Sequence, residues 1–194
     1  TTTMATLVGS DATWNYYDQG SLDGKNWTST TYSTATWNSG KAPLGYYTGD
    51  SNNSRGYNTT LDYGTDASSK RPTYYFRTKF TLSKAPAASD VFQFHYTVDD
   101  GMVIYVNGKE AARYLMPDGT ISYSTYATSH ANGNPDQGIL TLDASLFKKG
   151  TNVIAVEVHN NSGSSSDIYF SGELTQATTS SSTENIVCED MEYA

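Results

Sequence analysis

The chain has 194 residues, enough for one β-sandwich domain with a tail and for a core that needs no disulfides. Its formal net charge is −8 and it has only 12 Lys and Arg, which argues against nucleic acid and against an anionic membrane surface as partners. The single cysteine, Cys188, excludes an internal disulfide framework, and no apolar run approaches the ~18 residues of a membrane-spanning helix.

The composition favours an all-β domain. The chain contains 16 Tyr and 16 Gly, together with many Thr and Ser. Aromatic and β-branched side chains suit pleated, half-buried strands, whereas Gly, Asn and Ser suit turns. The first part of the chain, residues 1–70, is expected to form long loops with two strands, one near Leu7 and one near Asn15–Tyr17.

Beyond residue 70, alternating or continuous apolar runs predict seven strands. They are Thr73–Leu82, Asp90–Val98, Met102–Val106, Lys109–Tyr114, Gly138–Leu142, Asn152–His159 and Asp167–Leu174. The Asn107-Gly108 pair predicts a tight hairpin, because both residues tolerate positive φ. The sandwich domain is assigned to residues 1–176, and a Thr/Ser-rich linker with an acidic C-terminal tail to residues 177–194.

Several motifs follow one another in a fixed order. They are Trp14, the 17–27 segment that ends in Trp27, the 35–46 segment that contains Trp37, Thr73–Phe80, the Asp-Asp-Gly-Met-Val-Ile-Tyr-Val-Asn-Gly segment at 99–108, and the 150–159 segment that ends in His159. In this order they resemble the galactose-binding-like domains of bacterial surface proteins and glycoside hydrolases, over roughly Trp14 to Leu174. The resemblance implies a β-sandwich jelly roll, but ligands differ widely among such domains.

Asp99 and Asp100 form a candidate metal site in a tight loop between two strands. Ca²⁺ takes about six to eight oxygen ligands, and paired carboxylates supply such oxygens. The resemblance implies that a paired-Asp loop of this kind can hold Ca²⁺, which then bridges to sugar hydroxyls. The alternative, which we favour, is that the two side chains cap backbone amides of the turn.

A second polar set comprises Arg113, His159 and Asp167, together with the serines at 164–166. Because loops cluster at the ends of a sandwich, this set is predicted to lie near the Asp99 loop, with Arg113 paired to Asp100 or Asp167. It forms either a cup for hydroxyl groups or a buried network that holds the loops in register. The side chain of the hairpin residue Asn107 is a further candidate for the same end.

Aromatic side chains are the other candidate ligand contacts, because sugars stack their C–H faces on rings. Tyr46, Tyr47 and Tyr57 lie among Gly, Asp, Asn and Ser and are predicted to form an exposed platform. Tyr123 and Tyr126 are a further candidate pair. The three tryptophans are expected to anchor the core or the loops instead.

These observations predict a non-catalytic carbohydrate-binding module of a secreted or cell-surface multidomain protein, with or without the help of Ca²⁺. The alternative is a structural or adhesive surface module that binds protein partners or self-assembles. An enzyme is disfavoured, because the sequence has no G-x-S-x-G nucleophile elbow and no carboxylate pair in a recognisable catalytic context. A triad of His159, Ser164 and Asp167 is rejected for the same reason.

Overall fold

A computed structural model describes residues 1–49, 51–131 and 133–180. Within these ranges the chain forms twelve strands and a single turn of 3-10 helix at Ala144–Leu146. The strands are β1 Thr2–Val8, β2 Thr13–Tyr17, β3 Asn38–Lys41, β4 Leu44–Tyr47, β5 Thr59–Thr60, β6 Thr73–Leu82, β7 Val91–Asp99, β8 Gly101–Val106, β9 Lys109–Tyr114, β10 Asp136–Leu142, β11 Gly150–His159 and β12 Asp167–Thr179. No helix in these ranges is long and apolar enough to cross a membrane.

The strands form two six-stranded sheets that pack face to face. The first sheet has the order β10-β7-β12-β4-β5, and β1 pairs with the far part of β12. The second sheet has the order β3-β2-β6-β11-β8-β9. This arrangement confirms the all-β sandwich that the composition predicted.

The main core lies between the two sheets and follows from the period-2 alternation of their strands. Phe92 and Phe94 of β7, Val156 of β11 and Phe170 of β12 are fully buried. The ring of Trp14, also fully buried, meets Phe170 edge-on with 5.1 Å between ring centroids. Trp14 is therefore a core residue, as expected.

A smaller aromatic cluster covers the outer face of the second sheet. Trp27 and Trp37 come from the long loop between β2 and β3; Trp27 packs on Tyr75 of β6, and Trp37 packs on Trp27 and on Tyr17 of β2. Arg77, only 2% exposed, donates hydrogen bonds to the backbone carbonyls of Trp27 and Ser29 and so holds the loop against the sheet. The loop therefore covers the part of this face around Tyr75 and Arg77.

The bounds of the strands agree with the sequence patterns in the second half of the chain. β6 and β9 have the predicted bounds, whereas β12 continues to Thr179 because its last residues pair with β1. The sandwich therefore extends three residues past the predicted boundary at 176. The remaining part of the predicted linker and tail, residues 181–194 with Cys188, lies outside the described residues.

Candidate functional site

The loops at one end of the sandwich enclose a polar cavity of about 340 Å³, called here the loop pocket. Its walls come from the Asp99-Asp100 turn after β7, the 161–166 loop between β11 and β12, and the segment before β10. The side chains that define it are Arg55, Asp99, Asp100, Asp167 and the serines Ser162, Ser164, Ser165 and Ser166. The sequence-based expectation that the Asp99 loop and the loop before Asp167 lie together is confirmed.

Asp100 ties two walls of the loop pocket together. Its Oδ1 accepts a hydrogen bond from the amide of Ala131 at 3.1 Å, and its Oδ2 accepts one from the amide of Asn161 at 2.9 Å. The residue is 1% exposed. Asp100 thus caps backbone amides, as favoured from the sequence, but these amides belong to two other loops and not to its own turn.

Asp99 is buried beside two other carboxylates. Burial raises the pKa of its carboxyl to about 10, and the neighbouring Asp100 and Asp167 raise it in the same direction. The protonated form of Asp99 is therefore favoured at neutral pH.

Arg55, and not the predicted Arg113, supplies the cation of the loop pocket. Its Nη2 lies 3.2 Å from Oδ2 of Asp167, and its guanidinium lies 4.6 Å from the centroid of the Tyr47 ring. Its Nη1 is buried and has no hydrogen-bond partner among the described residues. A buried donor without an acceptor is costly, so the contacts with Asp167 and the Tyr47 ring have to hold the guanidinium at the pocket wall.

The hydroxyl groups of the loop pocket come from a serine-rich loop. The Ser166 hydroxyl donates to Oδ1 of Asp167 at 3.0 Å, and the Ser166 carbonyl accepts from the Thr48 amide. Ser162 and Ser164 lie with their hydroxyl oxygens 3.5 Å apart at the surface. The loop therefore presents groups that both donate and accept.

Four predicted ligand residues lie elsewhere. Arg113 pairs with Glu110 and donates to the carbonyls of its own following loop, so its predicted pairing with Asp100 or Asp167 is wrong. Asn107 forms the predicted β8–β9 turn at the opposite end of β8, where its side chain forms hydrogen bonds with the 146–153 segment.

The side chain of His159 is fully buried. Its Nδ1 lies within hydrogen-bond distance of the Thr73 hydroxyl and the Thr125 carbonyl, and its Nε2 lies 3.3 Å from Glu157. Tyr57 is half-buried in a turn with Asn53.

The predicted tyrosine platform is also corrected. Tyr46 is 3% exposed in the core, where its hydroxyl meets Asn160 at 3.0 Å and burial raises its pKa to about 12. The ring of Tyr47 packs against the guanidinium of Arg55. Tyr123 packs into the smaller aromatic cluster, but Tyr126 is 43% exposed, with its hydroxyl beside Gly163 of the pocket loop. Of these tyrosines, Tyr47 and Tyr126 are the ones near the loop pocket.

The donor chemistry of the loop pocket suits a hard cation, because Asp99, Asp100 and Asp167 all supply oxygen. The amides of Ala131 and Asn161 engage Asp100, however, and Arg55 engages Asp167. Within the described residues, no three His, Cys, Asp or Glu side chains are grouped so as to hold a metal ion. Ca²⁺ at Asp99 and Asp100 therefore stays a prediction, and other oxygens would have to complete its coordination.

No protein-family model matches the chain, and no curated protein matches it. Among solved structures, the chain is similar to a β-glucuronidase from glycoside hydrolase family 2, with a TM-score of 0.55, 15% identity, and coverage of 91% of this chain and 18% of that chain. It is also similar to Bacteroides uniformis β-glucuronidase 2, with a TM-score of 0.53, 16% identity and coverage of 90% and 18%. A Ruminococcus gnavus β-glucuronidase in complex with D-glucuronic acid gives a TM-score of 0.51, 13% identity and coverage of 91% and 29%.

The fold is that of a β-sandwich within glycoside hydrolases. The chain spans less than a third of the length of these enzymes. At such low identities the likeness concerns the fold, so the role of the loop pocket has to be argued from its own residues.

Proposed function

We propose that this domain is a non-catalytic carbohydrate-binding module of a secreted or cell-surface multidomain protein, and that the loop pocket binds sugar hydroxyls. The observation that carries the proposal is the mixture of groups in one cavity: the Arg55 guanidinium donates, the Asp167 carboxylate accepts, and the serine hydroxyls do both. Sugar hydroxyls also donate and accept. The volume of about 340 Å³ lies within the range of about 300–1,000 Å³ typical of small-ligand sites.

A binding role fits the pocket better than glycoside hydrolysis. Hydrolysis of that kind requires two carboxyl groups on either side of the scissile bond, one acting as acid and one as base or nucleophile. Here both oxygens of Asp100 accept backbone amides, and Asp167 is paired with Arg55 and Ser166. The carboxylate of Asp100 therefore holds the loops together, and that of Asp167 orients the guanidinium of Arg55.

The pocket favours an uncharged sugar over an acidic one. Besides the protonated Asp99, the two carboxyl groups of Asp100 and Asp167 face one guanidinium, that of Arg55, which is already paired. The carboxylate of a uronic acid would be repelled by this cluster, whereas a neutral sugar meets hydrogen-bonding groups without that cost.

Ca²⁺ bound near Asp99 is proposed as an assisting ligand. The proton that burial keeps on Asp99 is replaceable by a cation, because a divalent ion stabilises the same carboxylate in its charged form. The ion would be held by Asp99 with Asp100, and its charge would offset the acidity of the loop pocket. Its test is thermal melting, described in the Discussion.

Isothermal titration with galactose, glucose, mannose, xylose and glucuronic acid tests the binding role. We expect at least one neutral sugar to bind more tightly than glucuronic acid, and the variant Arg55→Gln to weaken that binding by about tenfold or more, since a hydrogen bond to a charged group is lost. Arg113→Gln is the matched control and should bind as the wild type does, because the side-chain hydrogen bonds of Arg113 go to Glu110 and to its own following loop, away from the loop pocket. Melting temperatures establish that both variants fold.

Wild-type protein that binds none of these sugars contradicts the proposal. Light scattering of the same samples then distinguishes the structural or adhesive alternative, in which the domain self-associates. In that case Arg55 and Asp167 would have a purely structural role.

A further inference from the structure

The outer face of the first sheet is open, whereas the loop between β2 and β3 covers part of that of the second sheet. Along β7, β10 and β12, every second side chain points away from the core. The pairing places Thr97 between Gln137 and Ser171, and His95 between Ile139 and Glu173. These two rows form the floor of a shallow groove of about 450 Å³.

A smaller hollow of about 290 Å³ connects this groove with the loop pocket. It shares Thr97 and Gln137 with the groove and Arg55 with the loop pocket. The ring of Tyr169, directly opposite Asp99 in the β12–β7 pairing, lies along it. The three cavities therefore follow one another along the outer side of β7.

The length of this path exceeds one sugar ring. A strand rises about 3.3 Å per residue, so the four steps between Asp99 and His95 span about 13 Å. The loop pocket occupies the Asp99 end and the groove the His95 end. A single monosaccharide in the pocket would leave the groove unfilled.

The chemistry of the path suits an extended neutral glycan chain. Its floor offers hydroxyl, amide and imidazole groups from Thr97, Gln137 and His95. Ile139, 56% exposed, and the half-buried Tyr169 ring supply apolar surface for the C–H faces of sugar rings. Glu173 is the one charged carboxylate among the residues that line the groove, so a polyanion is disfavoured.

We infer that the domain binds an oligosaccharide along this path, with one end of the glycan in the loop pocket and the following sugars on the outer face of β7, β10 and β12. This inference rests on the proposed function of the loop pocket. It adds the class of ligand, which is a neutral glycan chain and not a single sugar. Affinity should consequently rise with chain length.

The test compares each monosaccharide, galactose, glucose, mannose and xylose, with its hexasaccharide by isothermal titration. The hexasaccharide of the preferred sugar should bind at least about tenfold more tightly, a difference of ~1.4 kcal/mol. The double variant Gln137→Ala/Glu173→Ala should remove that gain and leave monosaccharide binding unchanged. Thr141→Ala is the matched control, because Thr141 is exposed on β10 but lies outside the groove.

The possible failures are distinguishable. Equal affinities for monosaccharide and hexasaccharide would contradict glycan binding along the groove, and so would a gain in affinity that survives Gln137→Ala/Glu173→Ala. Neither result contradicts sugar binding in the loop pocket. Absence of binding to any sugar by the wild type overturns both the groove and the proposed function.

Discussion

Arg55 and Asp167 form an ion pair at the wall of the loop pocket, with Nη2 3.2 Å from Oδ2. The pair is largely buried, and the Tyr47 ring beneath the guanidinium limits its movement. Arg55 belongs to the irregular segment between β4 and β5, whereas Asp167 begins β12. The ion pair therefore fixes the irregular segment to the sheet and places a donor in the pocket.

The buried carboxyl of Asp99 predicts a pH-dependent stability. Its folded pKa, about 10, lies above the ordinary value of 3.8, so the folded state binds a proton that the unfolded state releases between these values. The free energy of unfolding should therefore fall as the pH rises from about 5 to about 9, by up to about 1.4 kcal/mol per pH unit.

Urea unfolding at a series of pH values measures this slope. Asp99→Asn should flatten it, whereas Asp11→Asn, at an exposed ion pair with Lys41, should leave it unchanged. A slope that persists in Asp99→Asn would place the proton on another group.

Ca²⁺ should raise the melting temperature of the wild type at about pH 8, because a ligand bound only to the folded state stabilises it by about 2.7 kcal/mol at 100-fold saturation. EDTA should reverse the rise, and Asp99→Asn should abolish it. An identical melting temperature in Ca²⁺ and in EDTA would return Asp99 and Asp100 to a purely structural role.

Loss of the Asp100 carboxylate should destabilise the domain and open the loop pocket. Asp100→Ala leaves the amides of Ala131 and Asn161 without their acceptor in a buried position, at a cost of about 2–5 kcal/mol. Chemical denaturation measures the cost. Asp143→Ala removes an exposed carboxylate that accepts the Ser145 amide, and it should cost much less.

Arg77 should be the most sensitive position of the covered sheet face. Arg77→Met leaves the buried carbonyl of Trp27 and the partly buried carbonyl of Ser29 without this donor, which should lower the free energy of unfolding by about 2–4 kcal/mol and shift the tryptophan fluorescence. Lys79→Met, two residues further along β6 and exposed, is the control. Equal effects of the two substitutions would show that the loop does not depend on Arg77.

The sequence predicted those strands best whose alternating or continuous apolar runs are bounded by turn residues. The predicted bounds of β6, β9 and β11 agree with the structure to within two residues. β4 was missed because its four residues, Leu44–Tyr47, lie in a Gly-, Asn- and Ser-rich region, and pairing with β12 decides their conformation. The end of β12 was assigned to a linker for the same reason, since its Thr-rich composition carries no apolar signal and pairing with β1 makes it a strand.

The loop pocket was predicted in part. The proximity of the Asp99 turn to the loop before Asp167 followed from the order of the strands, because loops at one end of a sandwich cluster. Arg55 was missed because its partner is 112 positions away in the chain, and a single Arg among Gly, Asn and Ser gives no pattern. Tyr46 was predicted to be exposed because many of its neighbours in the sequence are polar or Gly, a composition typical of loops, but it lies in the buried strand β4.

The most direct test of the loop pocket is amide chemical-shift mapping by NMR as the preferred neutral sugar is titrated into the protein. We predict that the amides of Ala131, Asn161 and residues 162–167 shift in a saturable way, while those of the Asn107-Gly108 turn at the opposite end of β8 do not. Shifts confined to the opposite end, or spread evenly over the domain, would contradict the assignment of sugar binding to the loop pocket.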